Sequence, residues 1–313
     1  MAVISTGLLT KGLRSEFFNR LTATPSVYLD LATRIVSNSD RETYKWLGTV
    51  PVMREWGTGR VAHGLRSESY SIENLKYEST IEVDRDELSD DQTGQIRIRI
   101  QEMAVRAATH KDKLVADLLA NGGGAGYLAY DGSTFFATDH ESGDSGAQSN
   151  KLEFDISAVM TAEPNTPDAP SIATCKKAFS TALAAMMQFK DDQGEPMDIS
   201  ASSLVVACHP AVYETWLTAL TAGMISNTDN VLRQFSTRVL PMGRLSDVSE
   251  WFLLKTDGVV RPFVFQDREP IEFSQLVGDS EEGFKREKYL YGVRARYRLT
   301  YGYWQYAVRT DFV

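Results

Sequence analysis

The sequence has little cysteine: Cys175 and Cys208 are the only two in 313 residues. That excludes a disulfide framework and a four-cysteine zinc site, and points to a reducing compartment. The four histidines, His63, His110, His140 and His209, are scattered, with no His-x-x-x-His spacing and no glutamate placed to complete a metal site. No apolar run approaches the ~18 residues of a membrane-spanning helix. Lys11 and Arg14 interrupt the short apolar stretch at the N-terminus, so it does not read as a secretory signal. Internal repeats and low-complexity blocks are absent. Positive charge is not in excess either, with 33 Lys+Arg against 42 Asp+Glu and a net charge of -9. This argues against a protein whose main task is gripping nucleic acid. What is present is ordinary for a globular chain, 42% hydrophobic and 24% charged residues, at a length that suits one large domain or two smaller ones.

Periodicity supplies the first positive information. Leu8, Leu9, Leu13, Phe17, Phe18 and Leu21 share a helix face near the N-terminus. A short helix of this kind is marginal alone, so it docks either on its own domain, the plainer reading, or on another chain. Gly57, Gly59 and Gly64 punctuate residues 50–87, where Tyr70, Ile72, Asn74, Ile81 and Val83 read as extended, predicting a long two-stranded hairpin that needs another surface to lie on. Ser89 with Gln92 forms a capping-box pattern after Leu88, and Asp90 and Asp91 suit the positive end of a helix dipole. Ile96, Ile100, Met103, Ala107, Leu114 and Leu118 then predict a helix to Asn121-Gly122, some 30 residues and roughly 45 Å long. The alternating Ile96–Ile100 stretch alone would suit a strand, but its surroundings outvote it.

Further on, a helix is predicted from Ser171 to Phe189, a buried strand at 204–208, and a helix opened by Pro210 and running through Trp216 to Gly223. Strands follow at 236–240 and 251–265, so that residues 155–270 read as an α/β unit. The clearest strand is C-terminal. Tyr289, Tyr291, Val293, Ala295, Tyr297, Leu299, Tyr301 and Tyr303 fall on one face, and Arg294, Arg296 and Arg298 on the other.

Several motifs invite chemistry and resolve into plainer readings. Gly143-Asp144-Ser145-Gly146 matches the nucleophile tetrapeptide of chymotrypsin-like proteases, but the chain lacks the strands of a double barrel, and the candidate bases are His63 and the very close His140. Chance in a Gly/Ser/Asp-rich loop explains it better. The glycines at 122–124 and 126 follow a helix, whereas phosphate loops precede one, so they read as a helix end. Asp139-His140 is half a constellation with nothing nearby to complete it. Cys208, ending an apolar strand beside His209, reads as an inert buried thiol. Residues 285–309 hold seven Lys/Arg against Glu287, net +6 and interleaved with tyrosines, as a nucleic-acid ribbon would. Residues 78–91 carry seven acidic groups against Arg85, net -6. The near-cancellation favours pairing between the two segments, within the chain or between subunits.

Local motifs then narrow the family. Glu42-Thr43-Tyr44-Lys45-Trp46-Leu47-Gly48, with Pro51 and Arg54-Glu55-Trp56, resembles the N-terminal signature of the Mu-like phage major head subunit family. Tyr70-Ser71-Ile72-Glu73-Asn74 leading to Tyr77-Glu78-Ser79-Thr80-Ile81 is similar to its extended-loop region, and Tyr130-Asp131-Gly132-Ser133-Thr134-Phe135-Phe136 with Asp139-His140 to its next block. The likeness is dense over residues 40–140, only general over 155–270, and positional at the C-terminus.

The resemblance implies an α+β, HK97-like capsid fold: an N-terminal arm (1–50), an extended loop (51–87), a peripheral domain with a spine helix and closing strand (88–154 and 271–313), and an α/β axial domain (155–270). It implies a structural protein with no catalysis, no cofactor and no metal. Its partners would be copies of itself in hexamers and pentamers of an icosahedral head, packaged double-stranded DNA by weak contact, and portal, scaffold, maturation protease or decoration proteins. Assembly is expected in the host bacterial cytoplasm, the product residing in the virion capsid, without a membrane. Because the helix-like arm begins almost at Met1, any scaffold is expected to be a separate protein. Trp56, Arg60, Arg66, Glu78, Glu82, Asp84, Arg294, Arg296 and Arg298 are the expected inter-subunit contacts, and deleting residues 55–80 is expected to leave a folded subunit that cannot assemble.

Overall fold

A computed structural model describes residues 6–44, 70–90, 94–161, 164–277, 280 and 285–313. Helix α1 (Thr6–Ala23) is followed by a short α2 (Tyr28–Leu31), β1 (Ala32–Val36) and β2 (Arg41–Tyr44). Next come β3 (Tyr70–Glu73), β4 (Leu75–Asp84), α3 (Arg85–Asp90) and the long α4 (Gln95–Asn121). After β5 (Lys151–Phe154), α5 (Ile172–Met187), β6 (Leu204–Cys208) and α6 (Tyr213–Thr221), a small hairpin is made by β7 (Met224–Ile225) and β8 (Thr228–Asp229). The chain closes through β9 (Arg238–Pro241), β10 (Glu250–Lys255), β11 (Phe263–Leu276), β12 (Lys288–Tyr301) and β13 (Ala307–Phe312).

Two sheets organise these elements. The first has the order β1-β11-β12-β4, parallel at β1–β11 and antiparallel elsewhere. The second has the order β5-β13-β10-β6-β9, with α5 and α6 packed on each other and on the sheet. Sheet membership crosses the domain divisions expected from sequence. Residues 151–154 and 307–312 pair into the second sheet, and β11 joins the first from Phe263 onward.

Helix α4 lies over β12, with α1 packed on α4 and β11. Its buried residues Ile96, Ile100, Met103, Ala104, Val115, Ala116 and Leu119 keep the predicted helical spacing, while Ile98 stays exposed. Arg97 ion-pairs with Glu16 of α1. The first half of α4 meets Leu13, Phe17, Phe273, Tyr289, Tyr291 and Val293 in one apolar cluster. The second half joins a larger core that also holds Phe135, Phe136, Tyr297, Tyr301 and the buried faces of the second sheet. At 27 residues the helix is about 40 Å long. Gly122 follows it because a Cβ there would lie 2.6 Å from the Phe136 ring.

Ser171 caps α5, accepting from the Thr174 N–H, and Pro210 opens the turn before α6, as their sequence positions predict. Three local expectations need correction. Ser89 does not start the long helix: it lies within α3, whose entry is capped by Asp84 accepting from the Asp86 N–H at 2.9 Å, and α4 begins after Gly94, which adopts φ 73°. The strands at 70–84 do not pair with each other or with a strand of a free ribbon. β3 pairs with β2, and β4 pairs with β12, because Val83 needs the Phe17 cluster to cover it. Residues 51–69 of the expected hairpin lie outside the described residues. Tyr303 lies beyond the end of β12, where the chain has already turned.

Candidate functional site

Two neighbouring features could serve contact with other molecules: the two-stranded sheet of β2 and β3 at the ends of residues 45–69, and the arginine face of β12 in the first sheet. β2 and β3 run antiparallel from Arg41 opposite Glu73 to Tyr44 opposite Tyr70. The backbones on either side of residues 45–69 are therefore held about 5 Å apart.

A line of hydrogen bonds fastens this hairpin to the sheet. Gln266 is fully buried in β11; its Oε1 accepts from the Tyr44 hydroxyl at 2.6 Å and its Nε2 donates to Asn74 Oδ1 at 2.8 Å. Asn74 Nδ2 donates in turn to Ser37 Oγ and the Ser39 carbonyl, both at 3.0 Å. Ser37 Oγ stands 3.0 Å from Glu42 Oε1, which also accepts from the Asn38 and Ser39 N–H groups at 2.9 and 3.0 Å. Those backbone donors, Asn38 first, hold the Glu42 carboxyl below its ordinary range. Burial pushes the Tyr44 hydroxyl up to about 12, so it stays a donor at any working pH. Two blocks quoted for the family resemblance, Glu42–Tyr44 and Tyr70–Asn74, are thus the two sides of one clamp.

The closing strand behaves as its alternation predicts. Tyr289, Tyr291, Val293, Ala295, Tyr297, Leu299 and Tyr301 are buried. Tyr297 reaches His110 Nδ1 of α4 at 2.7 Å, and its burial raises its pKa strongly. On the other face, Arg294 contacts Glu269 at 2.6 Å, and Arg296 bridges Glu269 at 3.1 Å and Asp40 at 2.8 Å. Burial works against the Glu269 charge, but the two arginines outweigh it and hold that carboxyl below its usual range.

The acidic and basic segments do lie side by side, as β4 against β12, with Asp84 opposite Lys288 and Glu78 opposite Arg294. A direct ion pair between them joins Lys288 to Glu82. Glu78 accepts from Thr80 Oγ1 at 3.1 Å, and Asp84 is occupied as a helix cap. Arg298 has no ion pair among the described residues, and Trp56, Arg60 and Arg66 lie outside them. Sequence reasoning missed Asp40, Glu269 and Gln266. A lone glutamine after Phe263-Val264-Phe265 was the available signal, since a buried amide must find partners.

The motifs that invited catalysis resolve as structure. His140 is fully buried, stacked on Trp304 with ring centroids 4.1 Å apart. Its Nδ1 meets Asp131 Oδ2 at 2.6 Å, not Asp139, and its Nε2 lies 3.2 Å from both the Phe135 carbonyl and Asn150 Oδ1. Ser145 Oγ donates to the Gly146 carbonyl and accepts from the Ser142 N–H, so hydroxyl and base are not partnered. Burial raises Cys208 to about 12 and Cys175 further, leaving both thiols unreactive. No three His, Cys, Asp or Glu side chains are grouped to hold a metal, and no helix is long and apolar enough to cross a membrane, among the described residues.

A long helix laid over a closing strand, a second α/β sheet, and a segment clamped at both ends define the α+β, HK97-like capsid fold. Residues 7–161 and 242–311 match the Mu-like prophage major head subunit gpT family, and the chain belongs to it. It is 25% identical over 296 residues to the major capsid protein of Escherichia phage Mu, covering 94% of this chain and 70% of that one. The Mu-like prophage FluMu major head subunit of Haemophilus influenzae is likewise 25% identical, over 95% of this chain and 70% of that one. Among solved structures, a chain of the bacteriophage JBD30 procapsid superposes with a TM-score of 0.59 at 25% identity, covering 99% of this chain and 76% of that one. The cyanophage P-SCSP1u capsid shares the fold at 11% identity and a TM-score of 0.59, over 93% and 89% of the two chains. The protein is a phage major head subunit, a structural component of the capsid.

Proposed function

We propose that copies of this chain assemble, in the host bacterial cytoplasm, into hexamers and pentamers that close an icosahedral shell around double-stranded DNA. The observation that carries the mechanism is the clamp. Buried Gln266 and Asn74 fix β2 and β3 on the sheet, which gives the stretch between them a rigid base, and we assign that stretch to contact with a neighbouring subunit. Trp56, Arg60 and Arg66 fall within that segment. Such a shell holds through many modest contacts, each repeated by symmetry. In this reading residues 88–154 and 271–313 form the peripheral plate and residues 155–270 the axial domain, with β5 and β13 lent to the axial sheet and the start of β11 to the peripheral one. The role is structural, without catalysis or cofactor. Portal, scaffold, maturation protease and decoration proteins are the further partners.

DNA contact is weak and non-specific here, because Arg294 and Arg296 are already committed to Glu269 and Asp40. Imaging of the purified protein by negative-stain microscopy, with light scattering, tests assembly: shells, rings or sheets are expected, and a monodisperse monomer at every salt and concentration refutes the proposal. The 55–80 deletion would also remove β3 and six of the ten residues of β4. The informative variant instead replaces residues 46–68 with a short glycine-containing turn, which the Tyr44–Tyr70 pairing accommodates. It should keep its melting temperature and lose assembly.

A further inference from the structure

β4 meets β12 only as far as the Leu75–Tyr297 pair, whereas β12 runs on to Tyr301. Arg298–Tyr301 therefore pair with β11 on one side and border an open cleft of about 580 Å³ on the other. Tyr70, its hydroxyl 2.7 Å from Thr300 Oγ1, forms part of the wall, and the exposed Leu75 and Leu128 form an apolar rim. Arg298 supplies a half-buried guanidinium. Unlike Arg294 and Arg296 on the same face, it has no carboxylate partner among the described residues. Glu73 also lines the cleft but is engaged by Arg41 at 3.3 Å. A charged, apolar-rimmed notch at an interrupted sheet edge is suited to a protein carboxylate.

The same sheet carries its complement at the opposite end. β4 passes at Asp84 into α3, where Asp86 and Glu87 are exposed, and Glu87 has no ion pair among the described residues. Ten residues of β12 separate Lys288, opposite Asp84, from Arg298. At ~3.3 Å per residue that is about 33 Å, so the cleft cannot take up its own acidic end. We propose that the Arg298 cleft receives the acidic end of a second copy, around Glu87, in a head-to-tail contact. Such a contact joins two different patches of one surface, and it closes into a ring when the rotation between copies permits. The proposal rests on the self-assembly reading and assigns one interface within it. A phosphate is the poorer occupant, because the cleft offers it a single cation, with Glu73 also in the wall.

Charge exchange tests the contact. R298E, E87R and the double variant R298E/E87R are compared with wild type by light scattering and negative stain, after wild type has been shown to form particles. Each single reversal should raise the concentration needed for particles by about tenfold or more, since like charges meeting in an interface are strongly repelled. The double variant should recover most of that loss. The melting temperature of the unassembled subunit should be unchanged; if R298E lowers it, R298A repeats the comparison without the reversed charge. Normal assembly by both single variants overturns the proposal. A double variant no better than the singles overturns the assigned occupant, as does an effect of R298E confined to DNA retention in intact particles. A wild-type chain that forms no particle refutes the assembly reading itself, before any variant is compared.

Discussion

Replacing Gln266 with leucine probes the clamp most directly. Leucine fills similar volume but removes two buried hydrogen bonds: the one the Tyr44 hydroxyl donates to Gln266 at 2.6 Å, and the one Asn74 Oδ1 accepts from it at 2.8 Å. Losing each of these buried hydrogen bonds costs about 1–3 kcal/mol, and the added apolar burial returns about 1 kcal/mol, for a net loss of about 1–5 kcal/mol. For a chain of this size that corresponds to a fall in melting temperature of about 2–8 °C, read by calorimetry on the unassembled subunit. Amide hydrogen exchange should rise in β2 and β3 before it rises in β12. The companion variant Q266L/Y44F removes the donor as well as the acceptor and should recover about 1–2 kcal/mol, because deleting both partners of a buried hydrogen bond is milder than deleting one. A Q266L protein melting within about 1 °C of wild type would refute the reasoning. So would a double variant whose losses simply add.

Other expectations follow from the same geometry. Gly122→Ala should destabilise by about 1–3 kcal/mol by driving a methyl into the Phe136 ring, whereas Gly126→Ala, with open space around its Cβ, should leave the melting temperature unchanged. Burial raises Tyr44 and Tyr291 from 10.0 to about 12 in the folded chain. Their contribution to stability is therefore complete below pH 10 and lost as pH climbs towards 12. Denaturant titrations should show a loss of about 1.4 kcal/mol per pH unit for each such tyrosine, and a flat profile from pH 10 to 11 would contradict it. The Glu269 carboxyl, held low, stabilises above its ordinary 4.5 and loses that effect as pH falls through its folded value. E269Q should accordingly flatten the acid limb of the melting curve.

Much of the fold could be read before any coordinates. β12 declared itself by strict alternation, α5 by Ser171, and the turn before α6 by Pro210, because caps and periodicities are local. Pairing was not legible, since Val83 and Ile72 carry no mark of which strand they will meet. Ser89 misled for a related reason: Asp84, five residues earlier, had the same capping chemistry and a strand end to sit on. The site was half visible. The basic and acidic runs announced that they would meet, yet Arg294 and Arg296 settled on Glu269 and Asp40, chosen by three-dimensional proximity across β11 rather than by charge density along the chain. Gln266 was a polar residue in an apolar strand, and only the fold shows that Tyr44 and Asn74 converge on it.

The placement of α4 has a mechanical consequence. Its first half is bonded into one apolar cluster and its second half into the other, with no joint between Ile96 and Leu119. A shell under outward load stretches its subunits within the surface. A continuous hydrogen-bonded rod anchored at both ends passes that tension from one core to the other instead of letting either yield alone. Ile100→Ala and Leu119→Ala, at opposite ends of the rod, should therefore weaken one shared unfolding transition.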